Sequence, residues 1–270
     1  MIDCKIMEPT RTPKNLKAVA ITAAQEGGKV LMKYFGNVVT EFKDDRFDAG
    51  SIITKADRES EDKVVAIIKS EFPEHGIYGE EGTNYQLDAD YVWYIDPLDG
   101  TSNFVRNIPL FGVSVGIVHK GQPVCGVLYF PALNLLVEAE LGRGAFANGK
   151  KIAVSNRPLA QALYHAGGKY KGVFDQHMGI STACGLIKII SASSWELAQI
   201  AMGDAEIYFL NNAPHDVVAG ICIVREAGGV VTDGKGKEWK LDSEEILATT
   251  PTIVGEVVSI LNTNGEKRPT

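Results

Sequence analysis

Residues 91–101 read YVWYIDPLDGT, and this stretch decides the architecture around it. Its first five residues are aromatic or β-branched, which favours a buried β-strand. The strand is predicted to end at Asp96 and Pro97, so Asp96 and Asp99 lie three residues apart at a strand end. Two carboxylates placed in this way can point at one location, and hard divalent cations such as Mg²⁺ prefer oxygen ligands. The pattern therefore predicts a metal site at the end of this strand.

The turn that follows the strand offers further ligands. A turn exposes backbone carbonyl groups, so the Leu98 carbonyl oxygen is a candidate ligand beside the two carboxylates. Gly100 allows the backbone to approach a ligand closely. The amides of Gly100 and Thr101 can bind a phosphate at the start of a short helix that continues through Ser102. The alternative is an ordinary surface turn, since Asp-Gly pairs are common in turns. The strand-like residues before the turn favour metal binding instead.

Three other acidic residues are candidates for the same site. Asp57 forms a predicted capping box with Thr54 at a helix start. Glu80 follows a short apolar stretch, although paired glutamates usually lie on a solvated surface. Asp216 begins a nearly all-apolar helix, where a carboxylate is costly to bury unless it is paired or bound to a metal. That cost favours a functional role for Asp216. The neighbouring His215 is predicted to be a packing or hydrogen-bonding residue rather than a ligand.

The composition is that of an ordinary globular domain. The chain has 270 residues, is 45% hydrophobic and carries a formal net charge of −7. No basic cluster offsets the negative charge, so neither nucleic acid nor an anionic membrane is an expected partner. The four cysteines are far apart and form no C-x-x-C pair, which fits a reduced, cytoplasmic protein. No signal peptide or membrane-spanning segment is predicted.

The rest of the chain is predicted to form two fused halves, residues 1–150 and 151–270. The first half has two predicted helices, from Thr12 to Gly36 and over residues 55–72, and an antiparallel meander over residues 113–141. In the second half strands alternate with helices. The predicted strands are 186–190, 206–209 and 230–231, and the predicted helices are 195–202, 215–227 and 253–261. The sequence therefore predicts an α/β sandwich of layered sheets and helices.

Five segments carry a resemblance to a known family. They are residues 79–81 (GEE), 93–104 (WYIDPLDGTSNF), 144–149 (GAFANG), 215–220 (HDVVAG) and 226–229 (EAGG). In order and spacing they resemble the inositol monophosphatase family, a group of lithium-sensitive, magnesium-dependent phosphatases. The resemblance extends from Thr54 to about Gly229. It implies an alternating αβαβα sandwich of the inositol monophosphatase and fructose-1,6-bisphosphatase type, and a homodimer.

The resemblance also implies a set of metal ligands. Glu80, Asp96 and the Leu98 carbonyl would hold a first ion. Asp96, Asp99 and Asp216 would hold a second ion, with Asp96 bridging the two, and Glu80 would contact a third. The implied cofactor is Mg²⁺, two or three ions per active site, with Mn²⁺ as a substitute.

Catalytic and phosphate-binding roles follow from the same resemblance. Thr101, oriented by Asp57, would activate the attacking water, with Glu80 also in a catalytic role. The residues implied to contact the substrate and its phosphate are Asp99, Gly100, Thr101, Ser102 and Asp216. The expected activity is hydrolysis of inositol 1-phosphate or of a related phosphorylated sugar or polyol.

Two departures from the family leave the substrate open. His215 stands where the family usually has Trp. Residues 209–212 lack the glutamate that contacts sugar hydroxyls in the animal inositol enzymes. The alternatives are fructose-1,6-bisphosphatase, histidinol-phosphatase and 3'-phosphoadenosine 5'-phosphate phosphatase activity. A catalytically dead binding or regulatory protein is the remaining alternative, and the presence of every implied metal carboxylate argues against it.

Overall fold

The computed structural model describes residues 15–42, 52–166, 174–211 and 213–265. The first layer consists of helices α1 (Leu16–Tyr34) and α2 (Lys55–Glu71), which pack against each other and against one face of a large sheet. The short strands β1 (Thr40–Phe42) and β2 (Ile52–Thr54) pair antiparallel beside them. The helix start predicted at Thr12 lies outside the described residues.

The large sheet contains eight strands. They are β3 (Gly76–Gly79), β4 (Asn84–Tyr85), β5 (Tyr91–Asp99), β6 (Gly112–His119), β7 (Gln122–Phe130), β8 (Leu135–Glu140), β9 (Gly144–Ala147) and β10 (Lys150–Lys151). Their order is β10-β9-β8-β7-β6-β5-β3-β4. Among the described strand pairs of this sheet, only β3 and β5 run parallel to each other. The predicted antiparallel meander is confirmed by β6, β7 and β8.

The prediction that β5 ends at Asp96 and Pro97 is wrong. The strand continues to Asp99, because the chain forms a β-bulge between Asp96, which pairs with Ser114, and Asp99, which pairs with Gly112. Proline cannot donate a ladder hydrogen bond, and a bulge is one of the few places where a sheet accepts it. The bulge inserts an extra residue into β5 just where the two carboxylates lie.

A smaller second sheet follows in the chain. Its strands are β11 (Leu163–Ala166), β12 (Leu186–Lys188), β13 (Ile207–Asn211), β14 (Val230–Thr232) and β15 (Glu245–Thr249), in the order β12-β11-β13-β15-β14. The helices of this half are α4 (Phe174–Ala183), α5 (Ser193–Met202), α6 (Pro214–Glu226) and α7 (Val254–Gly265). Helix α3 (Thr101–Phe104) is a single turn after β5. The sequence predictions missed β11, β15 and α4.

The layers alternate between helix and sheet. Helices α5 and α6 pack against each other and lie between the two sheets, since both contact strands of the first sheet and α5 also contacts β13 and β15. Helices α4 and α7 pack on the outer face of the second sheet. The order α1/α2, first sheet, α5/α6, second sheet, α4/α7 confirms the predicted αβαβα sandwich. The division of the chain near residue 150 stays a prediction.

Two glycines allow α6 to lie directly on the first sheet. Gly116 and Gly126 pair across β6 and β7 under the helix. A Cβ on Gly116 would lie 2.7 Å from the Ala219 amide nitrogen, and a Cβ on Gly126 would lie 2.1 Å from the Ala219 carbonyl oxygen. Both distances are shorter than any van der Waals contact, so this approach needs glycine at both positions. It places the first turn of α6, which carries Asp216, close to the sheet.

No helix within the described ranges combines the length and the apolar character that a membrane crossing requires.

Candidate active site

The β5 bulge positions the central carboxylate of the site. Asp96 is 2% exposed, and its Oδ1 accepts a hydrogen bond of 2.9 Å from the Leu98 amide. Ser60 on α2 donates a hydrogen bond of 3.0 Å to the Pro97 carbonyl oxygen, which ties the bulge to the first helical layer. The turn is therefore held from within and from the neighbouring helix, and the Asp96 side chain has a fixed place in the protein interior.

Asp99 is held by the start of α5. Its carboxylate accepts hydrogen bonds from the Ser193 amide at 3.2 Å, from the Ser194 amide at 2.6 Å and from the Ser194 hydroxyl. The partial positive charge of a helix N-terminus stabilises a carboxylate in this position. The sequence prediction started this helix at Trp195 and missed both serines, although serine is a common residue at helix starts.

Asp57 and Thr101 form the predicted pair. The Asp57 Oδ2 accepts hydrogen bonds from the Thr54 amide at 2.8 Å and the Thr54 hydroxyl at 2.6 Å, so the predicted capping box is confirmed. The Thr101 Oγ1 lies 3.3 Å from the Asp57 Oδ1 and 2.9 Å from the Leu98 carbonyl oxygen. A hydroxyl carries one proton, so Thr101 donates to one of these two oxygens at a time.

The turn around Gly100 has the backbone shape that glycine favours. Gly100 has φ +83°, in the left-handed region, and precedes the short helix α3. Ser102 lies within α3 and is half-buried. In the same helix, the Asn103 side-chain amide donates hydrogen bonds of 2.9 Å to the Leu110 and Ile190 carbonyl oxygens. Asn103 thus connects the turn to the segment that leads into α5.

Glu80 and Asp216 approach the site from different directions. Glu80 follows β3, and its amide donates to the Ile95 carbonyl oxygen at 3.1 Å. Asp216 lies in the first turn of α6. One possible metal-ligand atom from each of Glu80, His215 and Asp216 can be chosen so that all lie within 4.8 Å of one another. The His215 Nε2 lies 3.0 Å from the Asp216 Oδ1.

Glu61 positions the segment that carries Glu80, and the sequence analysis missed it. Its carboxylate, 4% exposed on α2, accepts hydrogen bonds from the Glu81 amide at 2.9 Å, the Thr83 amide at 3.1 Å and the Thr83 hydroxyl at 2.6 Å. A signal was available, because Glu61 precedes Val64 and Ile68 by three and seven residues and therefore lies on the apolar face of the helix. A charged residue on that face needs partners inside the protein.

Burial and neighbouring charges raise the pKa values of Asp96 and Asp99. Burial, followed by the charges of Glu80, Asp99 and Asp216, raises the pKa of Asp96 well above its usual range. Burial, followed by the charge of Asp216, raises the pKa of Asp99 to about 7, although the Ser194 hydrogen bonds oppose this. The charges of Glu80 and Asp216 therefore lie close enough to Asp96 and Asp99 to disfavour the ionised forms of these two carboxyl groups.

Burial also raises the pKa of Asp57 to about 6, against the opposing effect of its hydrogen bonds from Thr54. A bound cation would stabilise the ionised forms of these buried carboxyl groups, because it would reverse the local charge. Carboxylate and carbonyl oxygens are ligands for hard divalent ions, so the residues present fit Mg²⁺ or Mn²⁺.

The five-layer αβαβα sandwich with carboxylates gathered at the end of β5 fits a phosphoric monoester hydrolase, and the similarity to inositol-1-monophosphatases assigns the protein to this class. The chain belongs to the inositol monophosphatase family, whose model matches residues 12–265. The family resemblance of the sequence motifs is thereby confirmed.

Curated relatives share most of the chain. A Thermotoga maritima protein named fructose-1,6-bisphosphatase/inositol-1-monophosphatase is 35% identical over 252 residues, which cover 90% of this chain and 94% of the relative. A Neisseria meningitidis protein named putative Nus factor SuhB is 34% identical, covering 90% and 96%. A Mesorhizobium japonicum inositol-1-monophosphatase is 31% identical, covering 85% and 90%. The names differ, so they support the phosphatase family and not one substrate.

Solved structures share the fold. The inositol monophosphatase of Thermotoga maritima superposes with a TM-score of 0.85 at 33% identity, covering 93% of this chain and 98% of that one. The inositol monophosphatase of Anabaena (Nostoc) superposes with a TM-score of 0.82 at 30% identity, covering 92% and 95%.

Proposed function

We propose that this protein hydrolyses inositol 1-phosphate or a related sugar or polyol phosphate, using bound Mg²⁺ and an activated water. One observation carries the proposal. Carboxylates that are distant in the chain converge next to Thr101: the charges of Glu80, Asp99 and Asp216 raise the pKa of the buried Asp96, and the charges of Asp216 and Glu80 raise the pKa of the buried Asp99. A cluster of this kind is costly for the fold alone, and metal binding explains it.

The proposed ligands follow the family pattern. Glu80, Asp96 and the Leu98 carbonyl would hold one ion, and Asp96, Asp99 and Asp216 would hold a second. Ions bound there supply Lewis acidity, which neutralises the phosphoryl oxygens, lowers the pKa of a bound water and stabilises the leaving alkoxide. The hydrogen bond from the Leu98 amide to Asp96 and the serine contacts of Asp99 keep the carboxylate oxygens in place before substrate arrives.

Thr101 and Asp57 form the proposed proton pathway. The Asp57 Oδ1 faces the Thr101 hydroxyl, while its Oδ2 is occupied by Thr54. When Thr101 donates its proton to Asp57, the lone pairs of the Thr101 oxygen are available to accept a proton from water. The amides of Gly100 and Thr101, with Ser102, Asp99 and Asp216, are the proposed contacts of the substrate and its phosphate.

A substrate panel tests the proposal. The purified protein is assayed for phosphate release with Mg²⁺ from inositol 1-phosphate, fructose 1,6-bisphosphate, histidinol phosphate and 3'-phosphoadenosine 5'-phosphate, with and without lithium. We expect the highest kcat/KM on a sugar or polyol phosphate, and inhibition by lithium because it enters a weak metal position. Release of phosphate from none of the four compounds would refute the proposed activity.

The proposed assembly is a cytoplasmic homodimer without a nucleic-acid or membrane partner. Edge strand β12 and the residues after it expose three large apolar side chains: Leu186 is 62% exposed, Ile187 46% and Ile189 57%. An exposed apolar edge strand is suited to pairing with a second chain. Light scattering of the purified protein measures the mass, and a gel-shift assay with RNA checks the proposed lack of binding.

A further inference from the structure

His215 lies inside the proposed metal site. It is the second residue of α6, after Pro214, and Asp216 follows it. The His215 Nε2 lies 3.0 Å from the Asp216 Oδ1, with the two side chains 21% and 24% exposed. Together with a Glu80 oxygen, these form a group of one nitrogen and two oxygen atoms within 4.8 Å of one another. One nitrogen of the His215 ring therefore lies within 4.8 Å of a possible ligand oxygen from each of the two carboxylates.

The surroundings hold the imidazole in this place. The ring centre of His215 lies 5.9 Å from that of Tyr78 on β3, and the Tyr78 ring lies 5.5 Å from that of Tyr94 on β5. The aromatic rings form a wall along one side of the His215 ring. At the backbone, the Asp216 amide donates to the Ala213 carbonyl oxygen at 3.0 Å, which fixes the start of the helix. A ring that is mostly buried and packed on a wall has few other orientations.

The spacing fits coordination of one ion. Metal–ligand bonds of about 2.1 Å at a right angle place two ligand atoms about 3.0 Å apart. The His215 Nε2 and the Asp216 Oδ1 have this separation. The third atom, an oxygen of Glu80, lies within 4.8 Å of ligand atoms of the other two residues.

We infer that Glu80, His215 and Asp216 form a mixed nitrogen–oxygen site for a divalent transition-metal ion, with the His215 Nε2 as a direct ligand. The inference rests on the proposed metal-dependent phosphatase and adds a third ion position to it, because the two ions proposed above use Glu80 and Asp216 separately. Imidazole is a better ligand for transition metals than for Mg²⁺, which prefers oxygen. The His215 ring therefore shifts the preference of this site from Mg²⁺ towards ions such as Mn²⁺ or Co²⁺.

Pulsed electron paramagnetic resonance of Mn²⁺ tests the ligand directly. The full-length protein is stripped with a chelator and reloaded with Mn²⁺, and the free Mn²⁺ signal gives stoichiometry and affinity. Electron spin echo modulation then detects a directly bound histidine nitrogen through its ¹⁴N coupling. Protein grown with ¹⁵N-histidine replaces that coupling by a ¹⁵N one, which needs no substitution and no assumption about folding.

The comparison uses two substitutions of the same kind. His215→Gln removes the ring nitrogen. His119→Gln is the matched control, because His119 lies at the end of β6 that pairs with Tyr91, opposite the end that pairs with Asp99. We expect the nitrogen coupling in wild type and His119→Gln and its loss in His215→Gln. The Mn²⁺ affinity of His215→Gln should fall about tenfold and its Mg²⁺ affinity much less.

Two results would overturn the inference, and they can be told apart. If the wild-type protein binds Mn²⁺ but shows no histidine nitrogen coupling, His215 is not a ligand and the proposed phosphatase site stands. If no Mn²⁺ or Mg²⁺ binds at all, the metal basis of the proposed function fails together with the inference.

Discussion

The carboxylate of Asp99, at the end of β5, accepts hydrogen bonds from both the amide, at 2.6 Å, and the hydroxyl of Ser194 at the start of α5. These two residues are 95 positions apart in the chain. The contact joins the first sheet to the helical layer between the sheets, so the geometry of the site depends on how these two parts of the molecule pack. A metal bound to Asp99 would have to share its oxygens with Ser194.

Ser194→Ala tests this contact. The substitution removes the hydroxyl donor and keeps the amide donor, so we expect a loss of about 1 kcal/mol in the free energy of unfolding and a lower kcat. Urea denaturation and steady-state kinetics measure the two effects. Ser70→Ala is the matched control, because the Ser70 hydroxyl makes one exposed bond to the Ile67 carbonyl oxygen. Equal effects of the two substitutions would show that the Asp99 contact contributes nothing.

Glu61→Gln tests the support of the segment after β3. A glutamine has one acceptor oxygen where the glutamate has two, and its NH₂ group would face the donors of Glu81 or Thr83. We expect a destabilisation of about 1–3 kcal/mol and weaker Mg²⁺ binding by calorimetry, because Glu80 loses its fixed place. Asp62→Asn, at the exposed neighbouring position, should change neither. Normal Mg²⁺ affinity in a destabilised Glu61→Gln protein would limit Glu61 to a structural role.

Asp96→Asn separates function from stability. The substitution replaces a buried carboxyl group, whose negative charge burial and the neighbouring carboxylates disfavour, by a neutral amide whose oxygen can still accept the Leu98 hydrogen bond. We therefore expect activity to fall by orders of magnitude and the Mg²⁺-induced rise in Tm to disappear, with the Tm of the metal-free protein unchanged or higher. A large drop in the metal-free Tm, or near-normal activity, would contradict the central role of Asp96.

Thr101→Ala tests the proton pathway. Removal of the hydroxyl takes away the Thr101 contact of the Asp57 Oδ1 and leaves the metal carboxylates in place. We expect kcat to fall by about 10²–10⁴, the usual contribution of general acid–base catalysis, with a smaller change in Mg²⁺ affinity. Thr101→Ser keeps the hydroxyl and should retain most of the activity. An unchanged rate in Thr101→Ala would remove Thr101 from the mechanism.

The stability of the metal-free protein should depend on pH through Glu196. Burial, and then the charge of Asp99, raises the pKa of Glu196 from 4.5 to about 8. The folded protein thus binds this proton more tightly than the unfolded chain does. The resulting stability is fully present below pH 4.5 and is lost as the pH rises through 8.

We expect the free energy of unfolding of wild type to fall between pH 5 and pH 8.5 by more than that of Glu196→Gln, which cannot ionise. Urea denaturation at several pH values in the presence of a chelator measures the difference. Parallel pH profiles for the two proteins would show that Glu196 does not titrate in this range.

Local patterns in the sequence predict most of the fold. Three segments are each typical of one kind of element. They are the capping box of Thr54 and Asp57, the aromatic and β-branched start of β5, and the apolar run after Asp216. Strands β11 and β15 were missed because each has only four or five residues, too few to show a clear alternation of apolar and polar side chains. Their partners in the sheet, and not their own sequences, define them.

Two acidic residues of the site could be predicted from the sequence because each lies at the end of an apolar segment. Asp216 precedes a buried helix, and Asp96 follows a buried strand. Their supports could not be predicted in this way. The contacts of Asp99 with Ser194, and of Asn103 with Ile190, join residues 95 and 87 positions apart, and no local period encodes such a distance.

The glycine pair at positions 116 and 126 shows that substitutions outside the catalytic motifs can inactivate this enzyme. Neither glycine touches a phosphate group in the proposed mechanism, yet a single methyl group on either would push against the backbone of Ala219, less than one helical turn from Asp216. Substitutions of either glycine, on the strands against which this helix packs, can therefore inactivate the enzyme while every acidic residue is intact. Inspection of the catalytic motifs alone would therefore wrongly classify such a variant as active.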